Sequence, residues 1–373
     1  FRIHLDVVPG RYRTIWFKHD LPAGLTVFLV ALPLCLGISL ASGAPLYAGI
    51  LSGVIGGLVV SLISGSQLGV SGPAAGLTTV VAASIISFGD YRVFLLAVFF
   101  AGVFQLVLGI LQLGTVALYF PSAVIKGMLA AIGIILISKQ IPLSLGYDEP
   151  DFWTEGFVGL FSGNKFYKNF GNFYHHFSQP VVLITVVSLA ILGFFSNFFR
   201  RKAKWLPLPL LTVSAGVGLS FVMPLINPAW ALKATQIVQI PANIFGEITT
   251  PDFSKVFSNN RIFIDAFTIG LLASLETLLC VEAIDKLDPL KRRTPVNREL
   301  VAQGIGNMAC GMVGAIPMTA VIVRGAANVD AGGRTRLSSF THGLFLLAAV
   351  ALVPFALNKI PFASLAAILL ITG

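Results

Sequence analysis

Two ionisable residues of this chain sit in apolar surroundings, where a charge is expensive. Arg324 lies in "IPMTAVIVRGAANVDAGG" (Ile316–Gly333) and Glu276 in "IGLLASLETLLCVEAID" (Ile269–Asp285). A guanidinium is a permanent cation with five donors, the chemistry that recognises an oxyanion. A carboxyl in an apolar helix can carry a proton or, when ionised, hold Na⁺. A third stretch, "QLGVSGPAAGLTTVVAAS" (Gln67–Ser84), has Gly69, Gly72 and Pro73 where a membrane helix should be regular, and then reads as clean helix from Leu77 to Ile86. A helix that begins near Gly72, inside a bilayer, leaves its first N–H groups without intrahelical partners. Those donors carry the positive end of the helix dipole, about +0.5 charge, and an anion is their natural occupant.

The segment around Arg324 is broken in the same way. Its helix would begin near Val321 and run inward, while the one after Gly72 runs outward. Two helix N-termini then meet head-on near the midplane, with Arg324 beside them. The plainer readings are a kinked helix packing through glycine, and an arginine held by a carboxylate for structure alone. An intramembrane arginine costs at least ~2.5 kcal/mol, so it must have a partner. Glu276, close to the centre of its own helix, is the best carboxylate candidate. Glu282 and Asp285 fall near the inner interface.

These residues need a membrane scaffold, and the chain supplies one. Of 373 residues 56% are hydrophobic and 11% charged, with mean hydropathy +0.87. Soluble domains are about 25% charged. The apolar spans are Leu21–Leu40, Ala44–Ile63, Val70–Phe88, Val93–Leu113, Val116–Ile137, Val181–Phe195, Leu206–Leu225, Ile262–Ile284, Leu300–Ile316, Val321–Val329, Leu337–Leu357 and Ile360–Thr372. Most approach the ~20 residues that a bilayer requires. The expected class is an all-α polytopic membrane protein. With the N-terminus cytoplasmic, the inner loops hold fifteen Lys and Arg and the outer loops eight, which is the positive-inside pattern. That bias explains most of the +9 net charge, so no nucleic-acid partner is implied. Phe1–Asp20 is basic and mixed with no cleavage pattern, so no signal peptide is expected before the first span.

Cys35, Cys280 and Cys310 are too few and scattered for a disulfide framework or a zinc site. The five histidines show no metal-ligand spacing, so no metal or other cofactor is expected; His175 and His176 fall on the long outer loop.

Seven spans precede the Ile226–Arg261 loop, so a second half starting at Ile262 runs in the opposite direction. This is the arrangement of inverted-topology transporters. The two broken spans, third and tenth, fall in register. The expected divisions are a cytoplasmic N-terminal segment (1–20), a first repeat of spans one to seven (21–225), an extracytoplasmic loop (226–261), and an incomplete second repeat of spans eight to twelve (262–373).

At these residues the chain resembles the SulP family of inorganic anion transporters, the sulfate permeases and their solute-carrier relatives. The resemblance rests on "VALPLCLGISLASGAP" (Val30–Pro45), "SGPAAGLTTV" (Ser71–Val80), "ASLETLLCVEAID" (Ala273–Asp285) and "IPMTAVIVRGAANVDAGGRTRLSS" (Ile316–Ser339), in order along the whole chain. It implies a seven-plus-seven inverted repeat of the uracil-permease kind, truncated here after about twelve spans. Spans one to four and eight to eleven would form a moving core, and five to seven and twelve to fourteen a gate. A cytoplasmic STAS domain would follow span fourteen. The family's site falls on Ser71, Gly72 and Ala74 in span three and on Val323, Arg324 and Gly325 in span ten, with Glu276 for coupling. Many members have Gln after the span-one proline; here Leu34 follows Pro33, as in bacterial bicarbonate-type members. Sodium-dependent members carry Asp with a hydroxyl one turn later. The pair here is Glu276 and Cys280, which leans towards protons.

The leading expectation is therefore a proton-coupled secondary transporter of sulfate or bicarbonate in the cell membrane, with a homodimer left open. A sodium-coupled bicarbonate transporter, an exchanger or channel, and a nucleobase permease of the same fold are the alternatives. An intramembrane enzyme would need a nucleophile–base pair or metal ligands deep in a span, and no histidine lies there.

Overall fold

The architecture was obtained as a computed structural model, which describes residues 15–114, 122–147, 152, 176–202, 208–241, 246, 248–257 and 259–372. Of the expected features, most of the N-terminal segment, the starts of spans five and seven, parts of the 226–261 loop and His175 lie outside the described residues.

An apolar chain in lipid must satisfy its backbone internally, and helices do so within one segment. The helices are α1 (Trp16–Ala41), α2 (Leu46–Ile63), α3 (Thr78–Phe88), α4 (Tyr91–Ile110), α5 (Ser122–Leu145), α6 (Gln179–Lys202) and α7 (Leu208–Ile226). After the loop that follows α7 come α8 (Arg261–Leu287), α9 (Val296–Val313), α10 (Ile322–Asp330), α11 (Leu337–Leu352) and α12 (Phe362–Thr372). Among the described residues five of these, α1, α2, α4, α7 and α8, are long and apolar enough to cross a membrane. Several expected boundaries shift, two of them for a clear local reason. Span eleven stops at Leu352, because Pro354 cannot continue the helix, and a separate turn, Pro354–Leu357, follows. Span three does not start as a helix near Gly72. Ser71–Pro73 is a strand, β1, followed by a 3₁₀ turn, Ala75–Leu77, before α3.

β1 pairs antiparallel with β2 (Met318–Ala320), in the register Ser71↔Ala320, Gly72↔Thr319 and Pro73↔Met318. The expected helical architecture therefore carries one small two-stranded sheet. Its cause is local. Pro73 pushes Gly72 out of the helical region, and extended residues inside a membrane need a partner strand.

The chain divides into two compact units, each drawn from separate stretches of sequence. One comprises Phe1–Ala130 and Pro241–Pro354 and contains α1–α4, α8–α11 and both strands. Its α4 and α9 touch backbone to backbone. A Cβ at Gly102 would lie 2.4 Å from Met308 N, and one at Gly304 would lie 2.6 Å from Leu106 N. Between membrane helices, where lipid is as apolar as leucine, such close packing drives association. The loop before α8 belongs to this unit from Pro241 on. Lys255 Nζ donates to Asp90 Oδ2 at 2.9 Å, which holds the Asp90 carboxyl below its usual range. Tyr91 donates to Gly314 O at 3.0 Å.

The other unit comprises Ala131–Ile240 and Phe355–Gly373. Its centre is Val181, Ile184, Met223 and Ala363. A Cβ at Gly216 of α7 would lie 1.9 Å from Ser364 Oγ of α12. Asn358 bonds both backbone groups of Ile240, accepting at 2.6 Å and donating at 2.9 Å.

Candidate functional site

The strand pair sets where α3 and α10 begin. The strands are antiparallel, so the two helices leave opposite ends of the pair and run apart. Their N-termini flank a crossing rather than abutting directly. Gly72 and Thr319 face each other across it.

α8 runs beneath and supplies a side chain to each helix start. The Gly76 N–H, in the turn before α3, bonds the Glu276 carboxylate. A Cβ at Gly76 would lie 2.7 Å from Glu276 Oε2, so glycine is what admits the acid. One turn further on, the Ile322 N–H at the start of α10 bonds the Cys280 sulfur. Between them Thr277 Oγ1 accepts from Ala320 N at 3.3 Å. Residues 276, 277 and 280 share one helix face, so one helix reads both breaks.

Arg324 is completely buried. Its Nη2 donates to Cys35 Sγ of α1 at 3.3 Å, while Nε and Nη1 have no hydrogen-bond partner. A Cβ at Gly72 would lie 1.8 Å from Nη1, and one at Gly53 of α2 would lie 3.9 Å from it. The guanidinium is thus laid against the bare backbone of β1. Among the described residues no carboxylate lies within 4.0 Å of it. The expected pairing with Glu276 does not form. Arg324 leaves the first turn of α10 towards α1 and α2, whereas Glu276 is engaged at the start of α3.

The expected residues fall into four groups. Gly72, Arg324 and Gly325 are packed in the interior, and a Cβ at Gly325 would meet Ile284 Cδ1 at 2.4 Å. Ser71 and Ala74 are buried, the Ser71 hydroxyl accepting from Gln303 Nε2 at 2.6 Å. Val323 is 40% exposed. Glu276 and Cys280 are half-buried. Sequence reasoning did not single out Cys35 or Thr277 for roles here. A thiol or hydroxyl in an apolar helix gives no signal until a donor is seen beside it.

An isolated cation without a carboxylate costs several kcal/mol of desolvation. Two helix starts add about +0.5 charge each, so with Arg324 the local field is positive, offset in part when Glu276 is ionised. Chemically, the arrangement favours a small anion over a neutral ring.

The model of the sulfate permease family matches residues 17–373. The bicarbonate transporter BicA of Picosynechococcus sp. is 29% identical over 359 residues, covering 94% of this chain and 60% of the relative. YvdB of Bacillus subtilis, whose description as a sulfate transporter is provisional, is 30% identical over 363 residues, covering 96% of this chain and 64% of the relative. The chain thus spans under two thirds of the length of both. Among solved structures, the transmembrane domain of a cyanobacterial BicA superposes with a TM-score of 0.80 at 27% identity, over 95% of this chain and 87% of that one.

Proposed function

The chain belongs to the sulfate permease family, a family of transporters and not of enzymes, and on that premise we propose that it is the membrane part of a secondary active transporter of sulfate or bicarbonate. The observation that carries this is the buried Arg324, which has no carboxylate partner among the described residues and lies against the glycine backbone between two helix starts. An oxyanion there would neutralise the guanidinium and accept from backbone N–H groups. Ser71, Gly72, Ala74, Val323, Arg324 and Gly325 would contribute the substrate site. Glu276, with Cys280 one turn on, would couple the cycle to protons by neutralising and releasing charge beside that site.

The antiparallel strand pair supports an inverted repeat, since it sends the two broken helices in opposite directions. The division into two units, each assembled from both halves of the chain, supports an elevator-like cycle in which the unit holding α3 and α10 moves as a body. The positive-inside bias supports a cytoplasmic N-terminus in the cell membrane. A homodimer and a cytoplasmic STAS domain belong to the same reading.

The test is uptake of labelled sulfate and of labelled bicarbonate into proteoliposomes, under an imposed proton or sodium gradient. Saturable uptake of one anion, accelerated by an inward proton gradient, is the expected result. Acceleration by Na⁺ alone replaces the proton with sodium. Saturable uptake that ignores both gradients makes the protein an exchanger, and unsaturable flux makes it a channel. Uptake of a nucleobase but of neither anion overturns the assignment.

A further inference from the structure

A two-stranded sheet buried in a membrane protein has two open edges, and each leaves backbone groups in need of partners. One face of α9 meets this need. Glu299, Gln303 and Asn307 are spaced i, i+4 and i+8, and all are at most 1% exposed. Asn307 grips β2 by the backbone. Its Oδ1 accepts from Met318 N at 2.7 Å and its Nδ2 donates to Met318 O at 3.0 Å. This is the pair of bonds a neighbouring strand would make. Gln303 grips β1 by a side chain, Nε2 donating to Ser71 Oγ at 2.6 Å.

Each amide is held by a further residue. Gln105 of α4 accepts from Asn307 Nδ2 at 2.6 Å through Oε1. Glu299 accepts from Gln303 Nε2 at 3.0 Å and also from the Ser64 hydroxyl. The orientations are not interchangeable. A flipped Asn307 would set its oxygen against Met318 O, and a flipped Gln303 would set its oxygen against the Glu299 carboxyl. α9 is itself seated on α4 by glycine contacts, so both strands are anchored to a stiff helix pair.

We propose that Asn307 and Gln303 are positioning residues for the anion site. From one helix face they hold both strands, and so the starts of α3 and α10, as a single rigid piece. Preorganised donors bind better because no ordering cost is charged at the moment of binding. The proposal rests on the anion-transport reading for its effect on affinity, but the clamp itself can be measured without a substrate.

The test variant is Asn307→Asp, nearly isosteric. It keeps the acceptor for Met318 N–H but puts an acceptor against Met318 O and Gln105 Oε1. Hydrogen exchange of the protein in lipid nanodiscs, read by mass spectrometry, should run at least about tenfold faster at residues 70–72 and 318–321. Gln303→Leu should loosen residues 70–72, and carries the test if Asp at 307 prevents folding. Ser84→Ala removes a comparable 2.7 Å bond to Asp265 in the same unit and should leave both strands at wild-type rates. In uptake, Asn307→Asp should raise KM for the transported anion about tenfold with the maximal rate within about twofold. A merely structural residue would lower the maximal rate with the amount of folded protein and leave KM alone. Strand exchange that stays at wild-type rates in both variants overturns the clamp. Loosened strands with an unchanged KM overturn its role in positioning. If the wild-type protein takes up neither anion, the transport reading fails, while the exchange rates still decide the clamp.

Discussion

The two broken helices begin alike and are served differently. α3 and α10 each follow a three-residue strand, each strand is the other's only ladder partner among the described residues, and α8 places one side chain at each start. At α3 that side chain is the Glu276 carboxyl, which meets the Gly76 N–H. At α10 it is the Cys280 sulfur, at the Ile322 N–H. α3 carries no charge of its own, whereas α10 carries Arg324 in its first turn. The backbone thus offers two similar positive helix ends, and the side chains separate them. A titratable acid is kept at the first. A fixed cation leaves from the second and is laid back across the first strand, over Gly72. The acid and the cation engage different elements, so Glu276 can change its protonation without having to break an ion pair with Arg324.

The sharpest way to break this arrangement is at the point where the two halves touch. Gly72→Val would force a side chain into Nη1 of Arg324, and the burial of both leaves no free direction. Either the guanidinium is driven off Cys35 or β1 leaves its register. Uptake should fall about a hundredfold or more while folded protein can still be extracted. Near-normal uptake would show that the contact is not part of the working site. Next is the cation itself. Arg324→Ala should raise KM for the anion about tenfold to a hundredfold, the value of one or two charge-assisted bonds. Arg324→Lys should recover only part, because a point charge cannot reach Cys35 and the strand together. Equal KM in all three proteins would remove the guanidinium from anion binding.

A smaller and more selective effect is expected at the first helix end. Glu276→Gln keeps the shape and fixes the neutral form. Its amide oxygen can still accept from the Gly76 N–H. Stimulation by an inward proton gradient should vanish, while anion exchange stays within about threefold of wild type, the cost of one altered hydrogen bond. Loss of exchange as well would make Glu276 part of anion binding or of the scaffold, and would dissolve the division of labour between the two ends.

Much of this frame was legible in the sequence. Gly69, Gly72 and Pro73 forecast a break, and the start of α10 at Ile322 falls one residue from the forecast Val321. The strand pair was not legible. A three-residue strand has no periodicity of its own, and its partner lies at Met318–Ala320, far along the chain. The direction of Arg324 was not legible either. Glu276 is the nearest acid by depth in the membrane, but depth does not say towards which helix a side chain leans, and Cys35 carries no charge to mark it. Nor could the pattern show that Asn307 and Gln303 serve the strands. Polar residues at i and i+4 of a helix otherwise read as a solvated or channel-lining face.

The finest test concerns Cys280, the counterpart of Glu276 at the second helix end. Its sulfur, a weak acceptor, takes the Ile322 N–H. Cys280→Ala would leave that N–H unpaired, and Cys280→Ser would offer it a better acceptor. If Cys280 serves α10 only as a cap, Ala should lower uptake about threefold to tenfold and Ser should be indistinguishable from wild type or slightly better. The serine variant also asks what distinguishes the two ends. A hydroxyl one turn from Glu276 supplies an oxygen ligand that sulfur does not, and Na⁺ prefers oxygen. If the two ends act separately, Cys280→Ser uptake should remain driven by protons and indifferent to Na⁺. Should Na⁺ begin to drive it, the acid and the residue one turn away form a single coupling site. The two helix ends would then be joined through α8, rather than divided into one that holds the anion and one that titrates.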